Sequence, residues 1–258
     1  TPLKDWDINI YRGVLTGCNE AFIITTEKRN EILANCQTEE ERGRTKELIR
    51  PILRGRDIKR YGYEWADLWL IATFPSRHYD IEEYPAVKTY LLSFGIERLE
   101  QTGKKYVING EEVKARKKTN NKWFETQDSI NYWQDFLKPK IIWKRVGSIL
   151  RFGYNDNGAL GLDSTCFATG KQIEYLCCVL NSPMGHYLLK DSPKTGTGDL
   201  LISVQAVEPI KVPLINEEEN SKFKNLFKTY QENEINREVY ELYNLSEEEI
   251  KFIMDNYY

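Results

Sequence analysis

Residues suited to metal or redox chemistry are scarce in this 258-residue chain. Histidine occurs only twice, at His78 and His186, and no Cys-x-x-Cys spacing exists, so a zinc site has few possible ligands and no metal is expected. The five cysteines follow no regular spacing, and Cys177 and Cys178 are adjacent inside an apolar stretch. That pattern argues against a disulfide framework and for a reducing, cytoplasmic setting. Long hydrophobic runs are absent too. The longest spans about five residues, Leu68 to Ala72, against the roughly 18 to 20 that a membrane-spanning helix needs. No basic-then-apolar leader opens the chain, so no membrane partner is expected. Methionine occurs twice and the first residue is Thr1, which points to a piece of a longer protein with further chemistry upstream.

Catalytic signatures are equally thin. There is no G-x-S-x-G elbow, no G-x-x-x-x-G-K-[ST] phosphate loop and no G-x-G-x-x-G fingerprint. Glu112-Val113-Lys114 has the Glu-x-Lys spacing of metal-dependent nucleases, but Glu249-Ile250-Lys251 repeats it in a chain rich in both residues, so chance accounts for each. No catalytic residue is assigned.

What remains is a composition of a folded domain: 41 % hydrophobic, 29 % charged, mean hydropathy −0.57. The net charge of −3 hides strong polarity along the chain. Residues 42–60 hold eight basic side chains against two acidic, residues 113–151 ten against three, and residues 208–258 six against twelve. Such a chain presents a cationic face while staying acidic in sum.

Periodicity predicts a mixed α+β fold, with a strand-rich body over residues 1–215 and a helical C-terminal segment over 216–258. Short apolar runs among glycine turns predict strands at residues 8–11 and 21–24. Helices are predicted at 26–33 and 40–49, the second opened by Thr38 with Glu41 at capping-box spacing and closed by Pro51. A buried strand follows at 67–74, a helix from Pro85, and half a hairpin ending in Asn109-Gly110. From Lys140 the pattern turns extended, through 140–146, 149–155 and 165–168, which reads as a meander. An apolar helix then covers 173–180. Apolar residues three to five apart from Phe223 to Tyr243 predict interrupted amphipathic helix, and Ser246 with Glu249 caps the last one. Trp65, Trp69 and Trp143 are expected in the core.

The basic runs are interleaved with aromatic and amide side chains. In residues 50–63, RPILRGRDIKRYGY, and 116–124, RKKTNNKWF, cations sit beside Tyr, Trp and Asn. Lys and Arg neutralise phosphates, while Asn pairs with adenine edges and Arg with guanine. The expected partner is therefore double-stranded DNA. The candidate contacts are Arg50, Arg54, Arg56, Lys59, Arg60, Arg116, Lys117, Lys118, Asn120, Asn121, Lys122, Lys144, Arg145, and Thr195 and Thr197 of the small-residue loop. Residues 116–122 are expected to form a mobile loop suited to a groove. Asp57 has a second reading, pairing with Arg54 or Arg60 to fix its own turn. Two other classes stay open: a small-molecule or glycan-processing enzyme with paired carboxylates, and an interaction scaffold using the amphipathic tail.

Five segments in order, GVLTGCNEAFII (13–24), IRPILRGRDIKRY (49–61), KPKIIWKRVGSILRFGYNDNGALGLDSTCFAT (138–169), YLCCVLNSPMGHYLL (175–189) and INREVYELYNLSEEEIKFI (235–253), resemble the C-terminal target-recognition domain of type IIG restriction-modification enzymes, the TaqI-like specificity domain. The resemblance implies a DNA-reading domain whose methyltransferase and nuclease domains lie upstream, with S-adenosylmethionine and Mg2+ belonging to those domains and no cofactor here. The Asn-Pro-Pro-aromatic motif of such methyltransferases is missing from this chain. Gly13, Gly17, Asn19 and Phe22 match the family's opening segment and read as turn and packing residues. Asn181-Ser182 matches a helix stop. Residues 88–122 match nothing in the family, whose specificity regions diverge there.

Overall fold

The computed structural model describes residues 1–258. The chain divides into two compact units that interleave in sequence. One comprises residues 1–13, 54–64 and 134–258; the other comprises 14–53 and 65–133.

The first unit is built on a four-stranded antiparallel sheet in the order Ile8–Arg12, Thr165–Gly170, Lys140–Lys144, Phe152–Asn155. The order is not a simple meander: Thr165–Gly170, the last of the four in sequence, pairs on the side of Lys140–Lys144 opposite Phe152–Asn155 and leaves its own outer edge for the N-terminal strand. In KIIWK, residues 140–143 are all buried, as in strands covered on both faces, and burial ends at Lys144. Lys140 is fully buried, and its ammonium donates to the Phe136 carbonyl and Asn155 Oδ1 at 2.6 and 2.7 Å. Helix Ile173–Asn181 is apolar nearly all round and lies in the core between the sheet and the helices Glu217–Lys228 and Glu232–Leu242. Both Glu217–Lys228 and the last helix, Glu247–Tyr257, open with a complete capping box, through Asn216/Glu219 and Ser246/Glu249. The helical tail thus shares one core with the sheet, through Phe223, Leu226, Ile235, Val239 and Ile253.

Asn181 does more than end its helix. Its buried amide accepts from Phe152 N and donates to the carbonyls of Phe152 and Cys177 at 2.7 to 3.0 Å, tying helix to sheet edge. Ser182 then caps the next helix, Pro183–Leu188, by accepting from Gly185 N. Gly13 is demanded by packing: a Cβ there would lie 2.1 Å from the Leu162 carbonyl oxygen.

In the second unit, strand Leu68–Ile71 lies between Ile23–Thr25 and Ile49–Leu53, antiparallel to both. Residues 19–22 form a helical turn before a strand that begins only at Ile23. Helices Thr26–Ala34 and Glu39–Leu48 form as predicted, with Thr38 accepting from Glu41 N. The second ends at Leu48, and Pro51 sits inside the strand that follows, because a residue before proline is driven extended and Arg50 is that residue. The hairpin Lys105–Ile108/Glu111–Lys114 turns at Asn109-Gly110, both with positive φ (50° and 85°), as a type I′ turn requires. Trp143 is buried as expected, whereas Trp65 and Trp69 are half-buried and meet edge to face. No helix is long and apolar enough to cross a membrane.

Two outcomes follow for the first unit. Asn181→Ala strands the N–H of Phe152 in the core and removes one donor from its carbonyl, which keeps Tyr61 N at 2.9 Å, and is expected to cost about 1–3 kcal/mol in urea unfolding, with an unchanged m-value. His186 packs against Tyr258, and burial lowers its pKa below the ordinary 6.5. The unfolded chain therefore binds the proton first, so stability holds above pH 6.5 and falls as the pH drops beneath it. His186→Phe should flatten that part of the stability profile in thermal melts.

Candidate nucleic-acid interface

The RGRD segment shows how the first unit sorts its cations. Asp57 is 5 % exposed and accepts from Arg54 N at 2.8 Å, Arg54 Nε at 3.0 Å and Arg54 Nη2 at 2.7 Å. This fork closes the 3-10 turn Gly55–Asp57 on itself. Arg54 is consumed by the fork; Arg56, at the tip, is exposed with no ion-pair partner. Gly55 is required because a Cβ there would meet Lys144 Cγ at 2.8 Å and the Ser164 carbonyl at 3.0 Å, and its own N–H donates to Ser164 Oγ.

That close approach brings Lys144, the first exposed residue of the buried strand, beside the turn. Arg56, Lys144 and Arg151 line one cleft of about 250 Å³, whose other walls are Gly55, Ile58, Gly147, Ser148 and Ile149. None of the three cations has a carboxylate within ion-pair distance. Arg145, next in sequence, is half-buried with an unpartnered Nε. Ribbon Val146–Gly147/Leu200–Leu201 connects the cleft wall to the small-residue loop. There Thr195 and Thr197 bond to each other at 2.8 Å, and Thr197 donates to Asp199, so their hydroxyls hold the loop's own turn.

Other candidates of this unit are neutralised. Lys59 pairs with Glu64 at 3.2 Å. Arg60 pairs with Glu232, donates to the Asn181 carbonyl at 2.8 Å and lies 5.2 Å from the Tyr258 ring centre. Arg60 is thereby a clamp between the turn segment and the tail helices.

In the second unit, residues 116–122 are not a free loop. Arg116 is 4 % exposed, and its guanidinium donates to four backbone carbonyls: Leu99 (2.8 Å) and Thr16, Glu125 and Trp123 (2.7 Å each). Burial pushes its pKa down to about 10, and it remains a cation at neutral pH. Its donors face the interior, so Arg116 leaves the set of outward cations. Asn121 is likewise spent on the Thr126 and Gln127 carbonyls, and Lys122 N caps onto Glu125 while its ammonium lies near the Phe124 ring. Lys117, Lys118 and Asn120 are exposed. Arg50 is half-buried, near Tyr79. Sequence reasoning left Arg151 off the contact set, since it is a lone arginine in an extended run whose partners in the cleft come from other segments.

The family model of the TaqI-like C-terminal specificity domain matches residues 50–203, and the chain belongs to that family. Among solved structures, the chain is similar to the type IIL restriction-modification enzyme MmeI, described in complex with DNA, with a TM-score of 0.60 at 11 % identity over 100 % of this chain. It spans 36 % of the MmeI chain. The type IIG restriction endonuclease BpuSI aligns with a TM-score of 0.49 at 10 % identity, over 88 % of this chain and 26 % of that one. No curated protein sequence matches the chain.

Arg116→Ala would leave four carbonyls short of a donor and is expected to lower unfolding stability by roughly 3 kcal/mol or more. Lys117→Ala/Lys118→Ala should leave the melting temperature within a degree or two, since exposed charges contribute little. Paired thermal melts distinguish the two.

Proposed function

We propose that this chain recognises double-stranded DNA in a sequence-specific manner, as the specificity domain of a restriction-modification enzyme. Family membership supports the class of partner. The observation that carries the reading at the level of residues is the convergence of three cations without an ion-pair partner, Arg56, Lys144 and Arg151, on one cleft. Phosphate oxygens suit such a site: two guanidinium forks and an ammonium, with little side-chain bulk at Gly55 and Gly147 to hold a backbone away. Lys117, Lys118 and Asn120 extend the candidate contacts in the second unit.

The catalytic domains of the parent enzyme, an adenine-N6 methyltransferase and an endonuclease, are placed outside this chain. S-adenosylmethionine and Mg2+ belong to those domains, and the setting is the cytoplasm. Within that enzyme the domain positions a duplex so that the methyltransferase receives its adenine.

The test is salt dependence. Each neutralised phosphate contributes about −0.9 to the slope of log affinity against log salt. Replacing Arg56, Lys144 and Arg151 with alanine is expected to weaken duplex binding and to flatten that slope by up to about 2.7, read by fluorescence anisotropy across a salt series. An unchanged slope in a folded triple variant rejects the cleft as the phosphate site.

A further inference from the structure

The second unit contains an exposed arginine that lies against aromatic rings and has no ion-pair partner. Arg77 ends the short 3-10 turn Pro75–Arg77 and is exposed. Its guanidinium carbon lies 3.8 Å from the centre of the Trp133 ring and 5.6 Å from that of Tyr79. No carboxylate pairs with it. Tyr79 meets Tyr84 edge to face at 5.8 Å, and Arg44 lies 6.0 Å from Tyr84. The result is a strip of two cations and three rings in the order Arg44, Tyr84, Tyr79, Arg77, Trp133.

The turn beneath Arg77 is fixed. Ser76 N donates to the Ser129 carbonyl and Ser76 Oγ to that of Ile130, joining it to the segment that carries Trp133. His78 follows in the left-handed region at φ 52°, which ends the turn immediately after Arg77. Stacking on Trp133 occupies the flat face of the guanidinium and leaves its N–H donors around the rim, where one side meets the Tyr79 hydroxyl and the rest stay exposed. A phosphate takes such a fork from whatever direction the guanidinium approaches, so phosphate binding does not require the plane to be fixed. A guanine edge is different: O6 and N7 are coplanar acceptors that match two parallel N–H donors.

We propose that Arg77, held flat by Trp133 and Tyr79, is a specificity-determining residue that reads the O6/N7 edge of a guanine in the major groove. The inference rests on the reading of this chain as a DNA-recognition domain. Arg44 and Arg50, on the same unit, supply charge for the adjoining backbone, and Tyr79 and Trp133 act as positioning residues.

The experiment is selection of a pool of randomised DNA duplexes by the wild-type chain, Arg77→Ala and Arg77→Lys, followed by sequencing and by anisotropy on the enriched duplex and its single-base variants. Wild type is expected to enrich a motif containing an obligatory G·C pair. In both variants the preference at that one pair should fall roughly tenfold to a hundredfold, the worth of one bidentate base contact, with the other positions retained. Lysine keeps the charge and the bulk of the stem, so Arg77→Lys decides the matter even if Arg77→Ala melts early. An identical motif at identical strength from the variants overturns the proposal. So does a uniform loss of affinity in Arg77→Ala that Arg77→Lys restores, since that is the behaviour of a phosphate contact. Failure of the wild-type chain to enrich any motif overturns the DNA-recognition reading itself, and this inference with it.

Discussion

The carboxylate of Asp57 decides which arginine of the RGRD segment is available. A carboxylate 5 % exposed needs donors, and it takes three from Arg54, the backbone N–H and both ends of the guanidinium fork. Once Arg54 is fixed, the turn Gly55–Asp57 has one geometry, and the middle side chain of the motif points outward. Gly55 packs against the Lys144 stem, so the turn also sets where Arg56 stands relative to the strand end. Four residues thus divide the labour that composition presents as a single basic run: one arginine builds, the other is offered.

The same division explains how an acidic chain holds a cationic cleft. Many of its carboxylates are committed locally. Glu217, Glu218 and Glu219, and likewise Glu247, Glu248 and Glu249, occupy the first turns of two tail helices, where the helix dipole favours negative charge. Glu232 and Glu238 pair with Arg60 and Lys222. Glu41 is buried and accepts from the backbone of Gln37 and Ala86. Carboxylates held in caps and pairs leave Arg56, Lys144 and Arg151 without an acidic neighbour, and net charge reports none of this.

Local signals made much of the fold legible in the sequence. Side-chain N-caps at Thr38, Asn216 and Ser246 act within four residues, and the Asn109-Gly110 turn within two, so each is visible without knowledge of the rest. The all-round apolar helix at 173–181 is legible for the same reason. What sequence hides is decided at a distance. Sheet order depends on which edge of Lys140–Lys144 the later strand takes, and periodicity is silent on that. Arg116 looks like its neighbours Lys117 and Lys118, yet its acceptors are backbone carbonyls at residues 16, 99, 123 and 125, which carry no side-chain signature. Arg77 escaped for the mirror-image reason: it lies outside any basic run, and the ring that stacks on it is 56 residues away along the chain.

Arg116 also shows how such a domain tolerates variety in its surface. Its four acceptors are main-chain oxygens, and the loop's other ties run through Asn121 to the Thr126 and Gln127 carbonyls and through Gln101 to those of Lys122, Glu125 and Thr126. A carbonyl is present whatever the side chain. The frame around residues 99–127 therefore depends on a few interior side chains and is indifferent to what stands at Lys117, Lys118 and Asn120. Exposed positions on a backbone-bonded frame change without a folding penalty beyond a few tenths of a kcal/mol. That separation lets the exposed residues change while the scaffold that holds them stays the same.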